Sequence, residues 1–128
     1  MQLGVIAVGI GGALGAMGRY LTGHAILRLV GPGFPWGTFA VNLIGSFLMG
    51  LAFWVLVGRE APGGARFVPL VMTGFLGGYT TFSAYALDTH LLWQQERWLA
   101  AAVYVVGTVA GSLAALLAGI ALAQRLVE

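Results

Sequence analysis

Long apolar runs make up most of the chain, and the charged residues lie mainly between these runs or near their ends. A helix needs about 20 residues to cross the hydrocarbon core of a bilayer. Four runs reach that length, at residues 3–30, 37–57, 67–92 and 98–124. The pattern predicts an all-α integral membrane protein, with four transmembrane helices in a single domain over residues 1–128. The N-terminus lacks the basic start of a signal peptide, so we expect it to belong to the first helix.

The third run contains a segment that is unfavourable for a helix. Residues 74–85 combine three glycines with Thr80-Thr81 and Ser83, and the uncharged part of the run, residues 67–87, is centred on Gly77. Glycine disfavours a helix by about 1 kcal/mol relative to alanine, and threonine can bond to nearby backbone instead. We therefore predict a helix broken at mid-membrane, at Gly77-Gly78. Backbone groups freed at that depth must face protein, a wet cavity or an ion, so an ion site is our hypothesis.

Composition and charge exclude several classes of protein. The chain is 59% hydrophobic and 8% charged with a mean hydropathy of +0.93, which leaves no room for a soluble domain. It has no cysteine, and its two histidines are far apart, so disulfides and a zinc site are excluded. Six arginines and four acids are scattered singly, which argues against a nucleic-acid partner. The sequence shows no catalytic nucleophile paired with a general base, so it does not indicate an enzyme.

Polar and small residues recur every four positions on the second helix, where they form one face. This stripe comprises Thr38, Asn42, Ser46 and Gly50. An amide within the hydrocarbon must find partners, so Asn42 either bonds to a neighbouring helix or lines a pore.

The fourth helix has a similar pattern. Hydroxyl groups recur on one face at Tyr104, Thr108 and Ser112, and a neighbouring face of small residues indicates close helix packing. The first helix has small residues at Gly11 and Gly15.

Two further features of the helices have alternative interpretations. Arg19, inside the first run, either extends to the membrane surface or stands at the mouth of an aqueous vestibule, where it would concentrate anions. Phe82 and Tyr85 are three residues apart and project from one face, either for ordinary packing or towards a pore.

The arginines are distributed almost evenly between the two sides of the membrane. Four helices place Arg59, Arg66 and Arg125 on the side of the N-terminus, against Arg28 and Arg97 on the other, or also Arg19 if its side chain reaches that interface. Such a small imbalance hardly specifies orientation, so the chain can insert both ways and form an antiparallel, dual-topology dimer. The two breaks would then meet on the two-fold axis and enclose one hard cation such as Na⁺ with backbone carbonyls.

Motifs along the chain resemble the Fluc (CrcB) family of fluoride channels, and the resemblance covers all four helices in order. The motifs are Gly11-Gly12-Ala13-Leu14-Gly15-Ala16 with Arg19-Tyr20, Gly37-Thr38, Val41-Asn42, Gly45-Ser46-Phe47 and, most specifically, Gly77-Gly78-Tyr79-Thr80-Thr81-Phe82-Ser83. The resemblance implies an antiparallel homodimer in a bacterial-type plasma (inner) membrane. Such a dimer gives passive fluoride efflux through two pores, and hence fluoride resistance, with a structural Na⁺ at its centre.

The resemblance also implies roles for individual residues. The carbonyls of Gly77 and Thr80 would bind Na⁺, and Arg19 would stand in the vestibule. The fluoride pore would be lined by a set of donors and aromatic rings, namely Asn42, Phe82, Ser83, Tyr85, Thr108 and Ser112.

Three positions depart from the family pattern. Tyr85 stands where phenylalanine is usual, Ala84 where a hydroxyl residue is frequent, and Asp88 where glutamate is usual. We interpret Asp88 as an ordinary interfacial carboxylate.

Two other functions fit a small four-helix membrane protein. A proton-coupled multidrug exporter would need a titratable group within the hydrocarbon, and residues 67–87 and 98–124 contain no acid. A non-transporting membrane subunit would explain the small residues but not the polar stripes beside a break.

Overall fold

The computed structural model describes residues 1–127, which are helical throughout apart from short connections and contain no strand. The helices are α1 (Gln2–Val30), α2 (Trp36–Phe53), α3 (Gly77–Tyr79), α4 (Phe82–Gln94) and α5 (Trp98–Val127). A π-helical turn, Trp54–Gly58, extends α2, and a short 3₁₀ turn, Gly64–Phe67, precedes the π-helix Pro69–Leu76 that leads into α3. The all-helical prediction is confirmed, and the third segment is the only one divided into pieces in the described chain.

Three helices are long and apolar enough to cross a membrane, namely Gln2–Val30, Trp36–Gly58 and Trp98–Val127. The third segment does not form one helix of that length, because it is divided at Thr80 and Thr81. Its first part begins at Pro69, which stands at the first turn, where its missing N–H leaves no intrahelical bond unmade.

Glycines on α1 allow it to contact the first part of the third segment through the backbone. A Cβ atom on Gly11 would overlap the Leu70 carbonyl, and one on Gly15 would overlap the Phe75 carbonyl. The small residues predicted to mediate close packing do so here, because any side chain would push the two backbones apart.

Helices α2 and α5 lie parallel and in close contact. Gly107 faces the Phe39 ring and Gly111 faces the Leu43 side chain, so residue numbers increase together along both helices. Further along, a Cβ on Gly119 would overlap the Phe47 carbonyl. The polar stripes of the two helices are thereby brought side by side.

The interruption of the third segment lies at Thr80-Thr81, so the predicted position at Gly77-Gly78 is wrong by three residues. Both glycines are helical. Gly78 is needed for packing instead: a Cβ atom there would lie 2.6 Å from the Gly12 carbonyl oxygen. Gly78 permits a close helix contact, and the threonines that follow it leave the helical conformation.

Candidate functional site

Asn42 holds the interruption in the third segment. Thr80 (φ −82°, ψ 158°) and Thr81 (φ −150°, ψ 118°) are extended, so the helical ladder stops there. The Thr81 N–H donates to Asn42 Oδ1 at 2.8 Å, and Asn42 Nδ2 donates to the Thr81 carbonyl at 3.0 Å. The structure therefore shows Asn42 bonded to a neighbouring segment, which was one of the two interpretations of this residue. One Nδ2 hydrogen is left over from this pair.

Carbonyls at the break lose their usual helical donors, and those of Gly77 and Thr80 are among them. In a continuous helix the Thr81 N–H would bond to the Gly77 carbonyl, and the Ala84 N–H to the Thr80 carbonyl. The first is diverted to Asn42, and the second donates to the Thr81 hydroxyl at 3.2 Å as a helix cap. Gly77 and Thr80, the two residues expected to bind Na⁺, are thus among those whose carbonyls are released for another partner.

A groove of about 350 Å³ opens beside the break, between α2, α4 and α5. It contains five of the six residues expected in a pore: Asn42, Phe82, Tyr85, Thr108 and Ser112. The sixth, Ser83, does not line the groove, but its hydroxyl bonds to the Thr81 hydroxyl at 3.3 Å. Ser46, Thr80 and Thr81 also line the groove.

Thr108 is the most informative residue of this groove. It is only 6% exposed, and its hydroxyl oxygen has no hydrogen-bond partner within the part of the chain that the structure describes. A buried polar group without a partner costs about 1–3 kcal/mol. This arrangement is typical of a site that supplies the missing partner as a ligand or water.

An aromatic row runs from one wall of the groove into the protein core. The Phe82 and Tyr85 rings lie 5.3 Å apart between centroids, as do the Tyr85 and Tyr104 rings. Phe82 is 78% exposed in the single chain, whereas Tyr104 is completely buried. The edge of an aromatic ring is electropositive, so a ring edge at this wall can contact an anion.

A model for the CrcB family, described as "CrcB-like protein, Camphor Resistance (CrcB)", matches residues 6–120. The chain belongs to the CrcB family. Two similar relatives, both named "Fluoride-specific ion channel FluC", come from Rhizobium etli (44% identity, 95% of this chain and 97% of the relative) and Cereibacter sphaeroides (50% identity, 91% of each). A third with that name, from Phenylobacterium zucineum, is 47% identical over 94% of this chain and 95% of its own.

Membership of the CrcB family confirms that the chain is a membrane protein and not an enzyme. Within residues 1–127 no group of three His, Asp or Glu side chains is placed to hold a metal ion.

Arg19 lies at a second cavity on the other side of the break. This cavity, of about 320 Å³, is also lined by Thr38, Val41 and Thr81, so Thr81 borders both cavities. Arg19 is half-buried, and its Nε atom has no partner among residues 1–127. The Arg19 guanidinium therefore lies at the wall of this second cavity.

Two of the departures from the family pattern have visible contacts in this CrcB chain. The Tyr85 hydroxyl donates to the Val105 carbonyl at 3.4 Å, so the added oxygen of this tyrosine is directed to α5. Asp88 accepts a 3.0 Å hydrogen bond from the Tyr104 hydroxyl, and it lines a cavity of about 410 Å³ near the Gly31–Pro35 loop. The carboxylate therefore has a specific partner. Tyr104 was visible on the hydroxyl stripe but was not predicted as a site residue.

Proposed function

We propose that this chain is a fluoride-selective ion channel that releases fluoride passively across a bacterial plasma (inner) membrane and so gives fluoride resistance. The observation that carries the proposal is the buried, unpartnered hydroxyl of Thr108 in a groove shared with Asn42. The relatives named as fluoride-specific ion channels, at 44–50% identity over most of the chain, support the choice of anion.

The chemistry of the groove suits a small anion. Asn42, Thr108 and Ser112 can donate hydrogen bonds, and the ring edge of Phe82 is weakly electropositive. None of the residues that line this groove is charged. Neutral donors stabilise an anion without holding it as tightly as a fixed cation would, so the ion can leave as well as enter. Ser83, tied to Thr81, would complete the polar track, with Tyr85 as the second aromatic contact.

Two copies in opposite orientations would complete the pore. Phe82 and Ser83 are exposed on the single chain, and Gly77 is exposed on the preceding turn, so this side of the third segment is available to a second copy. The nearly balanced arginines favour insertion in both directions. In this antiparallel homodimer the two-fold axis lies in the membrane plane, so the two breaks would meet at mid-membrane.

The carbonyls of Gly77 and Thr80 from both copies would hold a central Na⁺. Carbonyl oxygens are suitable ligands for a hard cation, and these two have lost their helical donors. The bound cation would supply positive potential near the anion route and link the two copies. Arg19, at the second cavity, would raise the concentration of anions in the vestibule.

Fluoride efflux from liposomes that contain only this chain tests the proposal. A fluoride-selective electrode should record rapid efflux that needs no proton gradient, while chloride in matched liposomes is retained. Proton-coupled movement of organic cations would instead indicate an exporter, and the absence of any flux would indicate a non-transporting subunit. Either result would overturn the proposal.

A further inference from the structure

We propose that Ser46 is a further anion-contacting residue, and that with Ser112 it forms a second fluoride position beyond Asn42. The inference rests on the proposed function and extends the route to a residue that the pore set above does not include. Two observations support it. The first is which hydroxyl groups in the helices lack a hydrogen bond within the protein, and the second is the register of α2 against α5.

Hydroxyl groups in the membrane helices differ in whether the protein satisfies them. Those of Thr80 and Thr89 donate to carbonyls four residues earlier, at 3.0 and 2.8 Å, and so satisfy themselves within their own turns. The side-chain hydrogen bonds found within residues 1–127 include neither Ser46 nor Ser112. These two hydroxyls line the same groove as the unpartnered Thr108 hydroxyl. Since a hydroxyl in hydrocarbon needs a partner, the free ones mark where a ligand or water is accommodated.

The register of the helices orders these donors along the groove. Gly107 faces Phe39 and Gly111 faces Leu43, so Thr108 and Ser112 stand near the levels of residues 40 and 44 on α2.

The donors therefore alternate between α5 and α2, in the order Thr108, Asn42, Ser112, Ser46. Levels two residues apart on parallel helices are separated by about 3 Å along the axis, so each donor follows the last within a short step.

Ser46 extends the row past the break. The neighbouring residue Gly45 packs against the Thr80 side chain, so Ser46 stands one residue past the level of the interruption. An anion that leaves the amide of Asn42 would otherwise face the apolar side chains of Val109 and Leu113, which also line the groove. Ser46 and Ser112 offer two neutral donors at that point, which is what a small, strongly hydrated anion requires to continue.

The first experiment compares Ser46→Ala with wild type in fluoride efflux from liposomes. Loss of one donor hydrogen bond should slow efflux about tenfold. Thr89→Val is the matched control, because it removes a hydroxyl that already bonds to its own helix, and it should conduct at the wild-type rate. Efflux from Ser46→Ala at the wild-type rate would overturn the inference while leaving the channel proposal intact. An inactive wild type would instead overturn the channel proposal.

A second experiment uses the absence of cysteine from the chain. Silver ion binds thiolate strongly, and silver fluoride is soluble, so nitrate media allow silver to be tested directly on fluoride efflux. Silver should abolish efflux through Ser46→Cys. It should not affect wild type or Ile44→Cys, whose side chain is exposed on α2 and does not line the groove.

The two experiments together decide the matter even if one variant fails to assemble. If Ser46→Ala does not elute as an intact dimer, the response of Ser46→Cys to silver decides. Efflux through Ser46→Cys that continues in silver would show that this position is outside the anion route. Silver block of Ser46→Cys, with Ile44→Cys unaffected, would support direct contact with the route.

Discussion

Asn42 on α2 and Thr81 in the third segment are joined through both polar atoms of the Asn42 amide, at 2.8 and 3.0 Å. The amide takes the place of the helical partners that the extended backbone at Thr81 has lost. It thus stabilises the break and leaves one N–H for the groove. The same side chain serves the fold and, in our proposal, the anion.

Asn42→Asp should abolish fluoride efflux. The carboxylate still accepts a hydrogen bond from the Thr81 N–H, but it cannot donate to the Thr81 carbonyl, and its negative charge repels an anion. Efflux from liposomes measures the effect, and size-exclusion chromatography checks assembly. Gln94→Glu makes the same chemical change at an exposed position and should leave efflux unaltered. Normal efflux in the assembled Asn42→Asp variant would remove Asn42 from the pore.

Thr108→Val should change stability and conduction in opposite directions. Valine has nearly the same shape but no hydroxyl, so the substitution removes a buried polar group that has no partner. We expect the free energy of unfolding to rise by about 1 kcal/mol and efflux to fall about tenfold. Denaturation in detergent and the electrode trace measure the two quantities. A variant that is destabilised, or that conducts normally, would show that the hydroxyl is not a free donor to the anion.

Gly15→Ala should destabilise the protein by several kcal/mol, because the added Cβ would overlap the Phe75 carbonyl in a backbone contact that cannot yield easily. Gly9→Ala, on the same helix, meets no atom within 4 Å and should leave stability unchanged or slightly higher. Thermal aggregation in detergent compares the two. Equal stability of both variants would mean that α1 and the third segment are not in backbone contact.

Removal of Na⁺ should weaken the dimer and reduce fluoride efflux, because the carbonyls of Gly77 and Thr80 would then lack their cation. The measurement compares proteins prepared in sodium and in N-methylglucamine, by size-exclusion chromatography and by efflux. Re-addition of sodium is the control and should restore both. Unchanged dimer and unchanged efflux in verified sodium-free buffer would rule out a structural cation at this site.

Individual residues show how far the sequence could predict the site. The stripes at Thr38–Gly50 and Tyr104–Ser112 have the spacing of helix faces, and the structure brings Asn42, Thr108 and Ser112 into one groove as that spacing suggested. Ser46 and Tyr104 stood on the same stripes, but nothing local separated them from ordinary packing residues. The bond from Tyr104 to Asp88 and the place of Ser46 in the groove became visible only when α2, α4 and α5 were placed side by side.

The sequence by itself determined that this is an all-helical membrane protein, because the length and apolarity of a run are local properties that the bilayer reads directly. It also located the unusual segment of the third run. Only the tertiary structure decided where that segment breaks. Gly78 stays helical because Gly12 packs against it, and Thr81 leaves the helix where the amide of Asn42, 39 residues away in the sequence, can satisfy its backbone. Low helix propensity indicates which segment is weak. The helix ends at the residue whose lost hydrogen bonds can be replaced by a tertiary partner.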